Sequence, residues 1–240
     1  FVDEKPIAGM MAIIRQLHGW LKGPLFKQCY ISQLPAFFDD SYPKDIVFEA
    51  LVSALLKEVK RKVYYIQFRN LNNSIFGYKT FKKHHFYSAR WLNICNSLQR
   101  KRKIWDQLSS TRKNQVHKAR KRGVTMLEAT THSQLSEIYQ SIKRDWHIRE
   151  RIPPFRYFEN FFLHYVQKGK GKILMCVYKG KIIGGSILGF EKKIVYCLHY
   201  WGQTKRYKLL YPSIFSIWSS LEFAEKEGFE YFDFMDSGFY

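Results

Sequence analysis

Four segments of this chain have the features of helices. Three carry apolar residues at helical spacing, and they begin after Pro43, at residue 133 and after Pro212. The fourth, 109–122, opens on serine and threonine and is followed by Gly123, which predicts a helix that is capped at both ends. We expect these helices to pack their apolar stripes on a sheet.

Short apolar runs rich in branched and aromatic residues alternate with the helices and predict strands. Three of them follow one another closely with tight turns between, which predicts an antiparallel meander over 173–201. Gly184 and Gly185 interrupt its middle strand and predict a bulge or the close approach of a ligand there. Single strands are expected at 63–68, 124–129 and 229–236.

The order Tyr-Pro, helix, strand occurs twice, starting at residues 42 and 211. We interpret this order as a weak internal duplication. The chain is therefore predicted to be an α/β protein with mixed (α+β) sheets and two domains, 1–100 and 101–240. Because the sequence begins with Phe1 and stops at Tyr240, we expect the first domain to lack its start and the second its end.

Charge adds information about partners. Apolar residues form 46% of the chain and aromatic residues 18%, which argues against disorder, while the net charge is +20. Ten basic residues and one acid lie in 100–122, and six acids and one lysine lie in 221–240. The basic block predicts a polyanionic partner, with a solvated helix face as the alternative.

Several other classes of protein are not favoured. No apolar run approaches the ~20 residues that a membrane-spanning helix needs, and no secretion signal is present. The four cysteines lie far apart and are expected to be free thiols in a reducing cytoplasm. Hydrolase, phosphate-loop and metal-binding sequence motifs are missing, so no metal is expected.

One pattern near the end of the chain suggests a family. It consists of Tyr-Pro-Ser-Ile-Phe-Ser-Ile-Trp at 211–218 and Glu-Phe-Ala-Glu-Lys-Glu-Gly-Phe-Glu-Tyr-Phe-Asp-Phe-Met at 222–235. This pattern resembles the FemA/FemB family of acyl- and aminoacyltransferases. The basic segment 108–124 and the residues 142–144 and 156–158 are similar as well. The resemblance covers 104–240 well and 1–100 in outline, and it implies two tandem GNAT-like acyltransferase domains.

The sequence departs from the family pattern in two places. The family continues past its last matched strand with a glycine-rich turn and a Phe-Lys pair, whereas this chain stops at Tyr240. GNAT proteins that use acetyl-CoA hold its pyrophosphate with a glycine-rich loop, whereas 203–208 reads Gln-Thr-Lys-Arg-Tyr-Lys. The co-substrate therefore stays open between acyl-CoA and aminoacyl-tRNA, and no tightly bound cofactor is expected.

The implied reaction is the attack of an amine on an activated carbonyl, which requires alignment, a proton acceptor and oxyanion stabilisation. The catalytic candidates are Asp233, Asp236 and His199, for which a turn or core role is the alternative. The candidates for substrate and donor binding come from the basic helix and the segment before Pro212. They are Arg112, Lys113, Arg120, Trp201, Gln203, Lys205, Arg206, Lys208 and Tyr211.

We therefore expect an acyl- or aminoacyltransferase that forms an amide bond on a cell-envelope amine, such as a peptidoglycan precursor. The expected partners are aminoacyl-tRNA, a lipid-linked or nucleotide-linked envelope precursor, and the anionic inner membrane face as a peripheral site for a cytoplasmic enzyme. One alternative is a GNAT N-acyltransferase that uses acyl-CoA on a sugar or small amine. Another is a basic nucleic-acid-binding module without catalysis.

Overall fold

The chain forms two compact units, Phe1–Arg90 and Trp91–Tyr240. A computed structural model describes residues 1–17, 23–32, 35–69, 76–88, 93–99, 102–145 and 152–236. The sequence places the domain boundary between residues 100 and 101, whereas the second unit already includes a sheet strand at Asn93–Ser97. The assignment of both units to one type of domain stays a prediction.

The first unit contains a small mixed sheet with a long helix. Its elements are β1 (Ala8–Gly9), β2 (Ile13–Gln16), β3 (Lys27–Ile31), β4 (Ala36–Phe37), α1 (Lys44–Val59), β5 (Tyr65–Phe68) and α2 (Tyr78–Lys83). Strand β3 pairs antiparallel with β2 and parallel with β5. Cys29 and Ile31 of β3 form a buried cluster with Val59 of α1. The predicted strand at 63–68 is confirmed for its last four residues, which form β5.

The second unit contains a larger mixed sheet, in which six described strands run in the order β6-β11-β10-β9-β8-β7. The β10–β11 pair is parallel and the other neighbours are antiparallel. Its elements are β6 (Asn93–Ser97), α3 (Ile104–Gln107), α4 (Ser110–Lys121), β7 (Thr125–Glu128), α5 (Gln134–Asp145), α6 (Phe155–Phe161), β8 (Gly171–Tyr178), β9 (Lys181–Glu191), β10 (Ile194–Gly202), α7 (Pro212–Lys226) and β11 (Tyr231–Asp236).

The predicted elements of this unit are confirmed, with ends that shift by one or two residues. Strands β8, β9 and β10 form the meander. Helix α4 begins after Ser109, whose hydroxyl accepts the N–H of Arg112 at 3.4 Å, and Gly123 follows its end with a φ of 85°. Helix α5 ends at Asp145, and the predicted last residue, Trp146, lies outside the described residues.

Two hydrophobic clusters lie on opposite faces of this sheet. On one face, which we call the α7 face, Leu174, Val195 and Phe232 pack with Phe215 and Trp218 of α7. On the other, the α5 face, residues of β8, β9 and β10 pack with α5 and α6. That second cluster includes Ile173, Met175, Ile187, Trp201, Leu135, Ile138, Ile142 and Phe158. The sheet is therefore sandwiched between helices, as neighbouring residues of each strand face opposite layers.

Candidate active site

Strands β10 and β11 run side by side for only three residue pairs. The ladder begins at Ile194 and ends where Tyr196 lies opposite Asp233, although β10 continues to Gly202 and β11 to Asp236. We call the place beyond the last pair the β10–β11 opening. Beyond this pair, the described residues of the two strands are not paired with each other, which makes the opening a candidate place for a substrate to bind.

A bulge changes the face of β10 at this opening. Cys197 pairs with Leu188 and His199 with Ile187, so Leu198 is an extra residue. Before the bulge, Val195 and Cys197 lie in the α7 cluster; after it, Trp201 lies in the α5 cluster. His199 stacks on Trp201 with 6.2 Å between ring centroids, and its burial lowers the pKa of the imidazole to about 4. His199 is therefore neutral at physiological pH.

Trp201 and Gln203 are buried and share one hydrogen-bond acceptor. Their side-chain N–H groups both donate to the hydroxyl oxygen of Ser141 on α5, at 3.1 Å each. The ring of Trp201 lies over Gly185, where a Cβ would be 2.5 Å from the ring. These two predicted binding residues thus form the inner support of the candidate site. Of the two predictions for Gly184 and Gly185, the bulge is confirmed, since the pairing of β9 with β8 shifts directly before Gly184.

The segment 203–211 connects this support to α7. Gly202 touches the start of the helix, because a Cβ on it would lie 2.4 Å from the backbone nitrogen of Ser213. Tyr211 takes up a left-handed conformation, with a φ of 50° and a ψ of 47°, directly before Pro212. Such a conformation usually favours glycine, and at Tyr211 it turns the chain sharply into α7.

The outer part of the segment is cationic. Lys205, Arg206 and Lys208 are exposed, and the guanidinium of Arg206 lies 5.6 Å from the ring centre of Tyr207. Arg122, just past the end of α4, donates a hydrogen bond to the carbonyl oxygen of Leu209. The C-terminal end of the basic helix and the cationic segment therefore form one surface, to which an anionic group is attracted.

The three predicted residues of α4 occupy different places. Arg112 donates to Gln115 at 2.9 Å and Lys113 to the carbonyl of Asp106 at 3.3 Å, at the start of the helix. Since Arg112 is ten residues before Arg122, it lies about 15 Å from that end of the helix. Arg120 forms an ion pair with Glu222 on α7 at 2.6 Å. The structure thus joins α4 to α7 through Arg120, and it does not bring Arg112 and Lys113 to the segment.

Asp233 marks the β11 side of the opening. Its side chain is 7% exposed, and Oδ1 accepts the backbone N–H of Met235 at 2.6 Å. Met235 has a φ of 62°, so the carboxylate supports a left-handed bend in the strand. The backbone of Asp236 pairs with that of Asn93, and the side chain of Asp236 lies outside the described part of the chain, as do 237–240.

Two groups near Asp233 were missed by the sequence analysis. Cys95 on β6 and Tyr196 on β10 lie opposite Asp233 in the two ladders, so the three side chains share one face of the sheet. Burial, and then the charge of Asp233, raises the pKa of the Cys95 thiol. Burial, with the charges of Glu191 and Asp233, raises the pKa of the Tyr196 phenol. Only strand pairing joins these three residues, so no local motif contains them.

Ser141 was missed too, although a local signal existed. It lies between Ile138 and Ile142 on the apolar stripe of α5, where a small hydroxyl residue needs a hydrogen-bond partner. Among the described residues, no group of three or more His, Cys, Asp or Glu side chains could hold a metal ion. The described helices also include none that is both long and apolar enough to cross a membrane.

Comparison with known proteins gives a match in fold alone. No protein-family model and no curated protein matches the sequence. The crystal structure of FemX aligns with a TM-score of 0.61 and 14% identity, over 100% of this chain and 79% of FemX. The fold is FemAB-like. It is the fold that the sequence at 211–235 suggested.

Two further solved structures support this assignment. The C-terminal domain of a putative lysylphosphatidylglycerol synthetase from Agrobacterium fabrum has a TM-score of 0.54 and 12% identity, over 96% of this chain and 68% of that one. A GCN5-related glucosamine N-acetyltransferase region in a fungal multi-domain β-N-acetylglucosaminidase has a TM-score of 0.53 and 13% identity, over 97% of this chain and 29% of that one. Both names describe proteins with group-transfer or synthetic activities.

Proposed function

We propose that this protein is an acyl- or aminoacyltransferase that joins a carbonyl donor to an amine at the β10–β11 opening. The observation that carries the proposal is the early end of the parallel ladder, directly beside a bulged strand that leads into a cationic segment and the start of a helix. In this arrangement the donor's anionic part binds at Lys205, Arg206 and Lys208, while its carbonyl reaches the opening.

The reaction forms a bond between the amine nitrogen and the carbonyl carbon, and it breaks the thioester or ester bond of the donor. The amine loses a proton, which a basic group or water must accept. His199 carries no charge at physiological pH, since its pKa is about 4, whereas Asp233 places a carboxylate, which accepts hydrogen bonds from an amine, on the other side of the opening. We therefore assign orientation of the amine to Asp233 and a packing role beside Trp201 to His199.

For the acceptor we propose a cell-envelope amine, such as a lipid-linked or nucleotide-linked peptidoglycan precursor, and for the location the cytoplasm with access to the inner membrane face. The likeness in fold to FemX and to a lysylphosphatidylglycerol synthetase domain supports this choice. With aminoacyl-tRNA as the donor, the cationic surface of Arg122 and the 203–211 segment would bind its phosphates.

An alternative is an N-acyltransferase that uses acyl-CoA on a sugar or small amine. The likeness in fold to the glucosamine N-acetyltransferase region favours it. An assay can distinguish the two donors, because ribonuclease destroys aminoacyl-tRNA and leaves acyl-CoA intact.

The test is a transfer assay with radiolabelled alanyl-tRNA or acetyl-CoA as the donor and a nucleotide-linked peptidoglycan precursor or glucosamine as the acceptor. We expect a labelled amide product from one donor, and ribonuclease abolishes it if that donor is the tRNA. Replacing Lys205, Arg206 and Lys208 together by glutamine should raise the donor KM roughly tenfold or more and weaken its dependence on salt. No product from either donor, together with salt-sensitive RNA binding, would instead indicate the nucleic-acid-binding module.

A matched control removes the same charge elsewhere. Lys168, Lys170 and Lys192 are also exposed but lie at the other end of the meander, where the carbonyl of Lys170 accepts the N–H of Phe190 and Lys192 stands in the turn between β9 and β10. The 203–211 segment follows the opposite end of β10, nine residues further along that strand. Replacement of these three lysines by glutamine should leave the donor KM within about twofold, because a screened charge acts over roughly a Debye length. An equal effect of both triple variants would show that only the overall charge matters and would reject the proposed donor site.

A further inference from the structure

Ser141 occupies a junction between α5, β9 and β10. Its side chain is 1% exposed, and its hydroxyl donates to the carbonyl of Ile182 at 3.2 Å. The same oxygen accepts the indole N–H of Trp201 and the amide N–H of Gln203. One hydroxyl therefore uses its donor and both acceptor positions, which fixes its own orientation and those of three partners.

Two of these partners flank Gly202, the last residue of β10. The chain has no freedom to move sideways there, since the space that a Cβ on Gly202 would need is filled by Ser213 of α7. The ring of Trp201 also packs directly against Gly185 of β9. The Ser141 hydroxyl thus joins the residue before Gly202 to the residue after it, at the point where the chain leaves the sheet.

A bulge in β9 provides the remaining contacts. Cys176 pairs with Gly184 and Val177 with Ile182, so Ile183 is an extra residue in β9. The carbonyl of Ile183 accepts the backbone N–H of Gln203 at 2.8 Å, and the carbonyl of Ile182 accepts its side-chain N–H at 3.3 Å. Successive carbonyls of a regular strand point in opposite directions, so the bulge is what lets both reach Gln203.

We propose that Ser141 is a positioning residue for donor binding: through Gln203 it sets the direction in which the 203–211 segment leaves β10, and hence the place of its cationic side chains. This proposal rests on the proposed function, because that function makes the segment a donor site. Ser141 itself is buried and does not touch the donor.

The test compares Ser141→Ala with Ser220→Ala. Ser220 is a matched control, since it is fully buried and its hydroxyl donates to the carbonyl of Ser216 at 2.8 Å and lies 2.7 Å from the hydroxyl of Ser186. Both variants remove one buried hydroxyl and should destabilise the fold by similar amounts. Only the first breaks a contact with Gln203.

The first readout is hydrogen–deuterium exchange of residues 203–211, which requires no activity. We expect Ser141→Ala to increase exchange in this segment about tenfold, while Ser220→Ala leaves it within about twofold. Ser141→Thr keeps the hydroxyl and should keep exchange low, even if its added methyl group lowers the melting temperature. Gln203→Met, which keeps the length of the side chain without its N–H, should reproduce the increase if Ser141→Ala does not fold.

The second readout is the transfer assay. Ser141→Ala should raise the donor KM about tenfold with little change in the acceptor KM, whereas a merely structural role would lower the amount of active protein and leave both KM values unchanged. Equal exchange in the Ser141 and Ser220 variants would overturn the proposal. If no donor supports transfer but the exchange difference appears, the positioning of the segment stands and the proposed function is what fails.

Discussion

The two sides of the β10–β11 opening differ in how their residues are held. On the β10 side, Trp201 and Gln203 are buried, and both bind the hydroxyl of Ser141. On the β11 side, Asp233 lies in a row with the exposed Cys95 and the half-buried Tyr196. One side is a packed support with a single neutral imidazole, and the other presents groups that exchange protons.

This difference separates two kinds of contribution to a reaction. The packed side fixes geometry, so a substitution there should act mainly through stability and the position of the 203–211 segment. The ionisable side sets the charge that an incoming amine meets, so a substitution there should act through protonation with little effect on the fold. Three measurements can test this separation, from the largest expected effect to the smallest.

The packed side should be least tolerant at Gly185. An added Cβ would lie 2.3 Å from the carbonyl oxygen of Leu174 and 2.5 Å from the ring of Trp201. Because one of these neighbours is backbone, Gly185→Ala should lower the free energy of unfolding by roughly 3 kcal/mol or more, measured by urea denaturation. Gly189→Ala is the control: its Cβ would meet only the side-chain tip of Leu198, at 3.3 Å, and should cost less than about 1 kcal/mol. Equal losses would mean that both the backbone at Leu174 and the ring of Trp201 can move aside.

His199 should make stability depend on pH. Burial lowers the pKa of its imidazole from 6.5 to about 4, so the unfolded chain binds a proton more readily between these values. The stabilising contribution is therefore complete above about pH 6.5 and is lost as the pH falls towards 4, by up to about 3 kcal/mol. The free energy of unfolding, measured by urea denaturation between pH 4.5 and 7, should change less with pH in His199→Gln than in the unaltered protein. In His164→Gln, which alters an exposed histidine, it should change with pH as in the unaltered protein.

The effect of charge on the β11 side can be measured at Cys95, which is the exposed one of the four cysteines. Its pKa is raised by burial and then by Asp233, so Asp233→Asn should lower that pKa and increase the thiolate fraction at pH 8. Alkylation by iodoacetamide should become a few times faster, because Asn keeps the oxygen that accepts the N–H of Met235 while it removes the charge. Glu128→Gln, on β7 at the far edge of the sheet, should leave the rate unchanged. An alkylation rate that does not respond to Asp233→Asn would mean that the charge of Asp233 does not act on the Cys95 thiol.

Much of the second unit was predicted because its signals are local. The Pro212 start and the Gly228 end of α7, the turns of the meander and the pattern at 211–235 depend on neighbours in sequence, and they gave the elements and the fold. The pairing of His199 with Trp201 on one face followed from the period of a strand. The roles of the candidate residues stay predictions.

The remaining features depend on residues far apart in the chain. In the sequence, Arg120 and Arg122 lie in the same basic block and look alike. In the structure, Arg120 pairs with Glu222, whereas Arg122 binds the carbonyl of Leu209 next to the cationic segment. The partner of Trp201 and Gln203 is a serine some 60 residues earlier, and the two bulges that orient them are set by pairing with other strands. Sequence thus determined which elements form and which fold they build, because periodicity and capping act over a few residues. Only the tertiary structure decided which side chains meet at the opening, because strand register and helix packing place distant residues together.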